Sequence, residues 1–204
     1  MTWKRRTSLA ALLIVGLMLP LFLSSAVAYA STPEEVVKER TEALAAVLAR
    51  AGSPERTEKL AREIEKTLDF EYLAARAFGE HWEVRSQAEQ EEFLNLLQRL
   101  LEANYSRRLG DHRLESDYRI EYGEPRVRRD RAFVRAVVSH RDRSEEVVYR
   151  LHRDGGEWKI YDVVIDDISL EETYREGYVP IIEEEGWEEL ISLMRERLEE
   201  LEAH

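Results

Sequence analysis

The chain has 204 residues with 42 acidic and 30 basic side chains, five histidines, no cysteine and 44% hydrophobic residues. That length makes one domain or two small ones and buries roughly 70% of the unfolded surface, which excludes disorder of the whole. The missing cysteine excludes disulfides, thiolate metal sites, thiol nucleophiles and a lipid-modified N-terminal cysteine.

Lys4, Arg5 and Arg6 precede an uncharged apolar run from Leu9 to Leu23 that gives way to small residues ending in Ala28-Tyr29-Ala30. Pro20, the Ala-Tyr-Ala pattern and the polar Ser31-Thr32-Pro33 favour a cleaved secretory signal over residues 1–30 rather than a membrane anchor. Its removal takes away three positive charges and no negative ones, moving the formal charge from −12 to −15. Such a chain repels nucleic acid and anionic headgroups, so docking needs a shaped partner. Adaptation to salty surroundings would look the same.

Thr32-Pro33-Glu34-Glu35 is a capping box with proline at the first helical position, and it opens a helix striped by Val37, Leu44, Val47 and Leu48 that ends by Gly52. Ser53-Pro54 starts a second helix with Leu60, Ile64 and Leu68 on one face. A shorter segment from Phe70 to Phe78 stops at Gly79. Ser86-Gln87-Ala88-Glu89 is another capping box and opens the longest amphipathic helix, through Phe93, Leu97, Leu101 and Tyr105.

From Asp117 the period changes to two: Tyr118, Ile120 and Tyr122 alternate with charged residues until Gly123-Glu124-Pro125. Strands follow near 132–140, 146–152 and 157–165, the last two joined by the turn Asp154-Gly155-Gly156. Short connections imply an antiparallel meander. Ser169-Leu170-Glu171-Glu172 is a third capping box, and two helical patterns separated by Gly186 close the chain. The fold expected is α+β, with a curved four-stranded antiparallel sheet packed by helices, residues 31–204 forming a single domain.

Nine arginines between Arg126 and Arg153 crowd the strands, so one sheet face is solvated or charge-paired; the alternation leaves open which side of each strand faces inward. No phosphate loop or nucleophile elbow is present, and the histidines never fall at the spacing of a helical metal pair, so neither metal nor cofactor is expected. Asp162, Asp166 and Asp167 form the best carboxylate cluster for a general base, against the plainer reading of a strand end and helix cap. Aromatic residues on helices and strands must converge, and pattern alone does not separate a filled interior from a hollow one.

The motifs Leu68-Asp69-Phe70-Glu71-Tyr72-Leu73-Ala74, Gly79-Glu80-His81-Trp82, Gln90-Glu91-Glu92-Phe93, Val148-Tyr149-Arg150-Leu151, Gly156-Glu157-Trp158-Lys159-Ile160-Tyr161-Asp162-Val163, Ile168-Ser169-Leu170, Tyr174-Arg175 and Tyr178 occur in this order. Together they resemble the MlaC, or toluene-tolerance, family of periplasmic phospholipid-binding proteins of Gram-negative envelopes. Two positions depart from the family pattern: Asp167 stands where glycine is usual and Thr173 where asparagine is usual.

The resemblance implies a nuclear-transport-factor-like cone holding phospholipid tails between sheet and helices, headgroup outside. It implies a soluble periplasmic carrier moving phospholipid between an outer-membrane lipoprotein–porin complex and an inner-membrane ABC transporter with an MCE-domain subunit, maintaining outer-membrane lipid asymmetry. The tail contacts expected from apolar character within the matching motifs are Leu73, Phe78, Trp82, Leu97, Leu101, Tyr105, Val134, Tyr149, Leu151, Trp158, Val163, Tyr174, Tyr178 and Ile182. Arg150 and Arg175 are candidates for a phosphate at the mouth, with surface pairing to glutamates as the alternative. The rival reading is an isomerase-like enzyme on the same fold, with Asp162 or Asp166 as base in an apolar pocket.

A carrier is physically sensible because about 16 methylenes at about 0.8 kcal/mol each release roughly 13 kcal/mol on leaving water. Transfer from a bilayer into a dry pocket is nearly balanced, as a shuttle requires.

Overall fold

Local signals explain most of the helix starts. The structure, a computed structural model, describes residues 31–49, 54–109 and 118–203. The first thirty residues, and with them the expected signal segment, lie outside it. Helix α1 (Pro33–Leu48) begins at Thr32, whose Oγ1 accepts from the Glu35 N–H at 3.2 Å while the Glu35 carboxylate accepts from the Thr32 N–H at 2.7 Å. Helices α2 (Pro54–Thr67) and α3 (Phe70–Phe78) follow, the latter capped by Asp69, whose Oδ1 accepts from the Tyr72 N–H at 3.0 Å.

Gly79, at φ +53°, ends α3 and turns the chain into a single helical turn, α4 (Glu80–Glu83), which periodicity does not reveal. Helix α5 (Gln87–Leu109) has the full Ser86–Glu89 capping box. Helices α6 (Leu170–Glu184) and α7 (Trp187–Glu202) close the chain, divided at Gly186, φ +96°.

The sheet has six strands, not the four expected: β1 (Tyr118–Tyr122), β2 (Arg126–Arg128), β3 (Arg131–His140), β4 (Arg143–Asp154), β5 (Glu157–Ile165) and β6 (Ile168–Ser169). All named pairs are antiparallel, in the order β1-β3-β4-β5-β6, with β2 also on β3. The two additional strands are too short to show a period of two. Strand β2 resumes the path of β1 along β3 after Gly123-Glu124-Pro125, and β6 is a two-residue return across the turn Asp166-Asp167. Both turn residues have positive φ, +50° and +64°, the backbone a type I′ hairpin needs.

One irregularity in β5 reaches the interior. Arg150 pairs with Asp162 but Leu151 pairs with Ile160, so Tyr161 is an extra residue. Ile160, Tyr161 and Asp162 are all buried, Ile160 in the sheet cluster, Tyr161 beneath Tyr72 and Arg76 of α3, and Asp162 against Ser169 and Glu171.

Two apolar clusters result. The sheet cluster gathers Ala132, Val134, Ala136, Tyr149, Leu151, Trp158 and Ile160 beneath Val37 of α1. The helical cluster gathers Phe70, Leu73, Phe78, Trp82, Phe93, Leu97, Trp187, Leu190 and Ile191 from α3, α4, α5 and α7. Leu68 packs on both. It sits in the α2–α3 linker, which bridges to Ile160 in parallel, and the next N–H, that of Asp69, donates to the Ile160 carbonyl at 2.7 Å.

Candidate functional site

A cavity of about 460 Å³ lies where the two clusters meet. Leu44 of α1 and Ile64 and Thr67 of α2 line one side, Tyr149, Val163 and Ile165 of β4 and β5 another, and Ile168, Leu170 and Thr173 of β6 and α6 a third, with Leu68 and Asp166 completing it. The β5 bulge positions the sheet wall: with Tyr161 inserted, Val163 recovers the face shared with its register partner Tyr149. Burial pushes the Tyr149 phenol up to about 12, with the nearby Tyr122 adding to the effect, so at neutral pH it is an uncharged wall. Ile168 is 68% exposed and Ile165 45%, making an apolar rim on the β5–β6 turn.

The volume is informative. If a methylene fills about the ~30 Å³ of a liquid water molecule, one tail of about 16 carbons needs roughly 480 Å³. The cavity, open to solvent at the Ile165–Ile168 rim, has about the volume of one such chain.

Of the residues expected to touch lipid tails, Tyr149 and Val163 line this cavity. Val134, Leu151 and Trp158 stand in the sheet cluster; Leu73, Phe78, Trp82 and Leu97 stand in the helical cluster, with Leu101, Tyr174, Tyr178 and Ile182 packed against it. The side chain of Tyr105 lies outside the described residues. Around Phe93 the rings are interlocked: its centroid is 5.1 Å from Phe78, 5.7 Å from Trp82 and 5.4 Å from Trp187. Leu44, Ile64, Leu68, Ile168 and Leu170 were missed because each reads as an ordinary stripe or strand-end residue; only the convergence of α1, α2, β5 and α6 makes them a wall.

The two arginines suggested for a headgroup are committed to buried acids. Arg150 Nη1 is 3.0 Å from Asp162 Oδ2, and Arg175 pairs with Glu171, whose side chain is 3% exposed. Arg76 of α3 joins Glu171 through Nε and Nη2 at 3.3 and 3.2 Å. Asp162, fully buried, also accepts from Ser169 Oγ at 2.8 Å and from the Glu171 N–H at 3.0 Å. Arginines from α3, β4 and α6 thus hold two buried carboxylates that tie these elements to β5.

A base in the cavity would need a carboxylate facing it with a free oxygen. Asp162 is not in the lining and both its oxygens are occupied; Asp166 is in the lining but exposed to water. Ser169 is only half of the third capping box. Its Oγ accepts from the Glu172 N–H at 3.2 Å while donating to Asp162, and the Glu172 carboxylate turns toward Arg150 at 4.0 Å. Thr173 donates its hydroxyl to the Ser169 carbonyl at 2.8 Å.

His152 stacks on Tyr72 with centroids 3.7 Å apart, and its Nε2 lies 2.9 Å from Asp69 Oδ2, fixing α3 to β4. Among the described residues no group of three His, Asp or Glu is arranged to hold a metal, and no helix is long and apolar enough to cross a membrane.

This geometry defines an α+β fold with a six-stranded antiparallel sheet, a separate helical core and an apolar cavity between them. The chain belongs to the MlaC family: a family model described as MlaC protein matches residues 34–196. It is 24% identical over 135 residues to the Haemophilus influenzae protein named "Intermembrane phospholipid transport system binding protein MlaC", a match spanning 63% of this chain and 62% of that one. Among solved structures it resembles the phospholipid-binding protein from Ralstonia solanacearum determined in complex with a phospholipid. The TM-score is 0.73 at 22% identity, covering 84% of this chain and 99% of that chain.

Proposed function

We propose that the protein is a soluble periplasmic phospholipid carrier, exported by a signal over residues 1–30, with residues 31–204 acting as a single lipid-binding domain. The observation that carries this reading is the apolar cavity between two cores in a chain of the MlaC family. The tails enter between the α1–α2 layer and β4–β5, in the manner of a nuclear-transport-factor-like cone, against Tyr149, Val163, Leu68 and Leu170. The headgroup stays outside, past Ile165 and Ile168.

Widening for the second tail comes from parting the α1–α2 layer from β4–β5 on the Leu44 and Ile64 side, since the Leu68-Asp69 linker is held to the sheet at Ile160 and His152. Cargo leaves water at a gain of order 13 kcal/mol per tail but leaves a bilayer at little net change, so partners that open the pocket control loading. The partners proposed are an inner-membrane ABC transporter complex with an MCE-domain subunit and an outer-membrane lipoprotein–porin complex, and the process is maintenance of outer-membrane lipid asymmetry. The occupied oxygens of Asp162 favour a carrier over an enzyme using it as a base.

Denaturing extraction and mass spectrometry of the purified protein test the reading. The expected result is about one two-tailed phospholipid per chain, lost in Val163→Trp, which fills the cavity, while the far-ultraviolet circular dichroism is unchanged. Wild-type protein free of lipid would overturn it.

A further inference from the structure

We propose that the outer face of the sheet is a docking cleft for an acidic, apolar-anchored segment of a partner protein. In β3 the alternation sends Ala132, Val134 and Ala136 into the core and Arg131, Phe133 and Arg135 outward. A cleft of about 710 Å³ lies on this outward face. Phe133 and Val148 form its half-buried floor, Arg126, Arg128 and Arg135 its walls, and the kink at Gly123-Glu124-Pro125 its rim.

The charge here opposes that of the molecule. On a chain of formal charge −12, three guanidinium groups line one apolar floor against the single carboxylate of Glu124, and a fourth, Arg131, stands opposite Arg128. Arg135 is neutralised by Glu146 at 2.8 Å, whereas Arg126, Arg128 and Arg131 are exposed and make no ion pair with a described residue. The register sharpens the point: Arg128 lies directly opposite Arg131, a like-charge cross-strand pair that works against the sheet. Folding alone gains nothing from that pair, while a carboxylate bridging the two arginines relieves it.

Charge complementarity and shape together select the occupant. Arg126 and Arg128 stand two residues apart on one strand, about 7 Å, the repeat of side chains on one face of an extended segment. Guanidinium forks match carboxylates, and Phe133 with Val148 receives an apolar side chain between them. A flat bilayer does not reach the floor of a concave cleft, and the acidic remainder of the surface repels an anionic membrane plane. The cleft is also separate from the lipid cavity: Val148 is on the opposite face of β4 from its neighbour Tyr149. The inference therefore stands independently of the cargo.

The test is fluorescence anisotropy with a labelled synthetic peptide of alternating Glu and Leu, its Lys/Leu counterpart as comparison, and sedimentation with phosphatidylglycerol vesicles. The expected result is binding of the Glu/Leu peptide alone, weakened by salt, because the contacts are solvent-exposed charges. Arg128→Glu reduces that binding by about tenfold or more, in line with the loss of a charged contact pair. The same variant melts at a higher temperature than the wild type, since it places a carboxylate opposite Arg131, so a folding defect is not what removes binding. Phe133→Ser weakens binding as well, and Arg62→Glu on α2 leaves it unchanged. Equal binding of the two peptides, indifference to Arg128→Glu, or Arg128-dependent sedimentation with vesicles in place of peptide binding would each overturn the proposal.

Discussion

The helical core is closed by interlocked rings, while the sheet core meets α1 through the small side chains of β3. Phe93 is fully buried among Phe78, Trp82, Tyr178 and Trp187, with centroids within 6.2 Å, whereas the centre of the sheet presents Ala132, Val134 and Ala136 to α1. Edge-to-face rings interlock and leave little space. The 460 Å³ cavity lies on the sheet side, where Tyr149, Val163 and Ile165 face Leu44, Ile64 and Leu68 of α1, α2 and the linker. Rigidity and capacity are thus assigned to different halves of one small protein.

The comparison breaks most visibly at Phe93. Phe93→Ala should cost about 3–5 kcal/mol in urea-induced unfolding, as expected for truncating a fully buried ring. In contrast, Ile168→Ala at the exposed cavity rim should change stability by under about 0.5 kcal/mol. Similar losses at the two sites would mean that the cavity wall is as tightly packed as the ring cluster.

Next in size is the carboxylate that joins the halves. Asp162→Ala removes the partner of Arg150, Ser169 and the Glu171 N–H, leaving a half-buried guanidinium with only Glu172 at 4.0 Å; a loss of about 3 kcal/mol is expected. Calorimetry should then show the helical and sheet transitions separating. A single unchanged transition would mean that the two cores are coupled elsewhere.

The sheet side should also respond to alkali. With the folded Tyr149 phenol at about 12 against its ordinary 10, the folded state keeps a proton that the unfolded state has lost. Stability is therefore intact below pH 10 and falls as pH rises from there to about 12, by at most about 1.4 kcal/mol per pH unit. Denaturant titrations across that window should give a shallower fall in Tyr149→Phe, and an identical slope would assign the alkaline loss to other groups. A small effect of opposite sign is expected at the turn beside the cavity, where Asp167 holds φ +64°: Asp167→Gly should raise stability by about 0.5–1 kcal/mol, read from the denaturant midpoint.

Much of the architecture was legible because its determinants are local. Thr32 and Ser86 announce helix starts through reciprocal hydrogen bonds within four residues, and Asp154-Gly155-Gly156 announces a hairpin through its tolerance of positive φ. The resemblance to the MlaC family was legible for the same reason, since ordered short motifs survive at low overall identity. Strands β2 and β6 were not, because two or three residues carry no periodicity. The expected tail contacts were drawn from apolar character, which Phe78 and Val163 share although one is packed among rings and the other lines a void.

The sequence by itself determined where the capped helices begin and where the longer strands lie, that they form an α+β fold with an antiparallel sheet, and which family the chain belongs to. Only the tertiary structure decided where the hollow lies, that Arg150 and Arg175 are held by buried acids, and that one inserted residue at Tyr161 moves Asp162 to the Arg150 face of the sheet, where Ser169 and Glu171 bury it. The physical reason is that a cap or a turn is set by residues a few positions apart. A void is the mismatch left when surfaces distant in the chain are brought together, and no single segment encodes a mismatch.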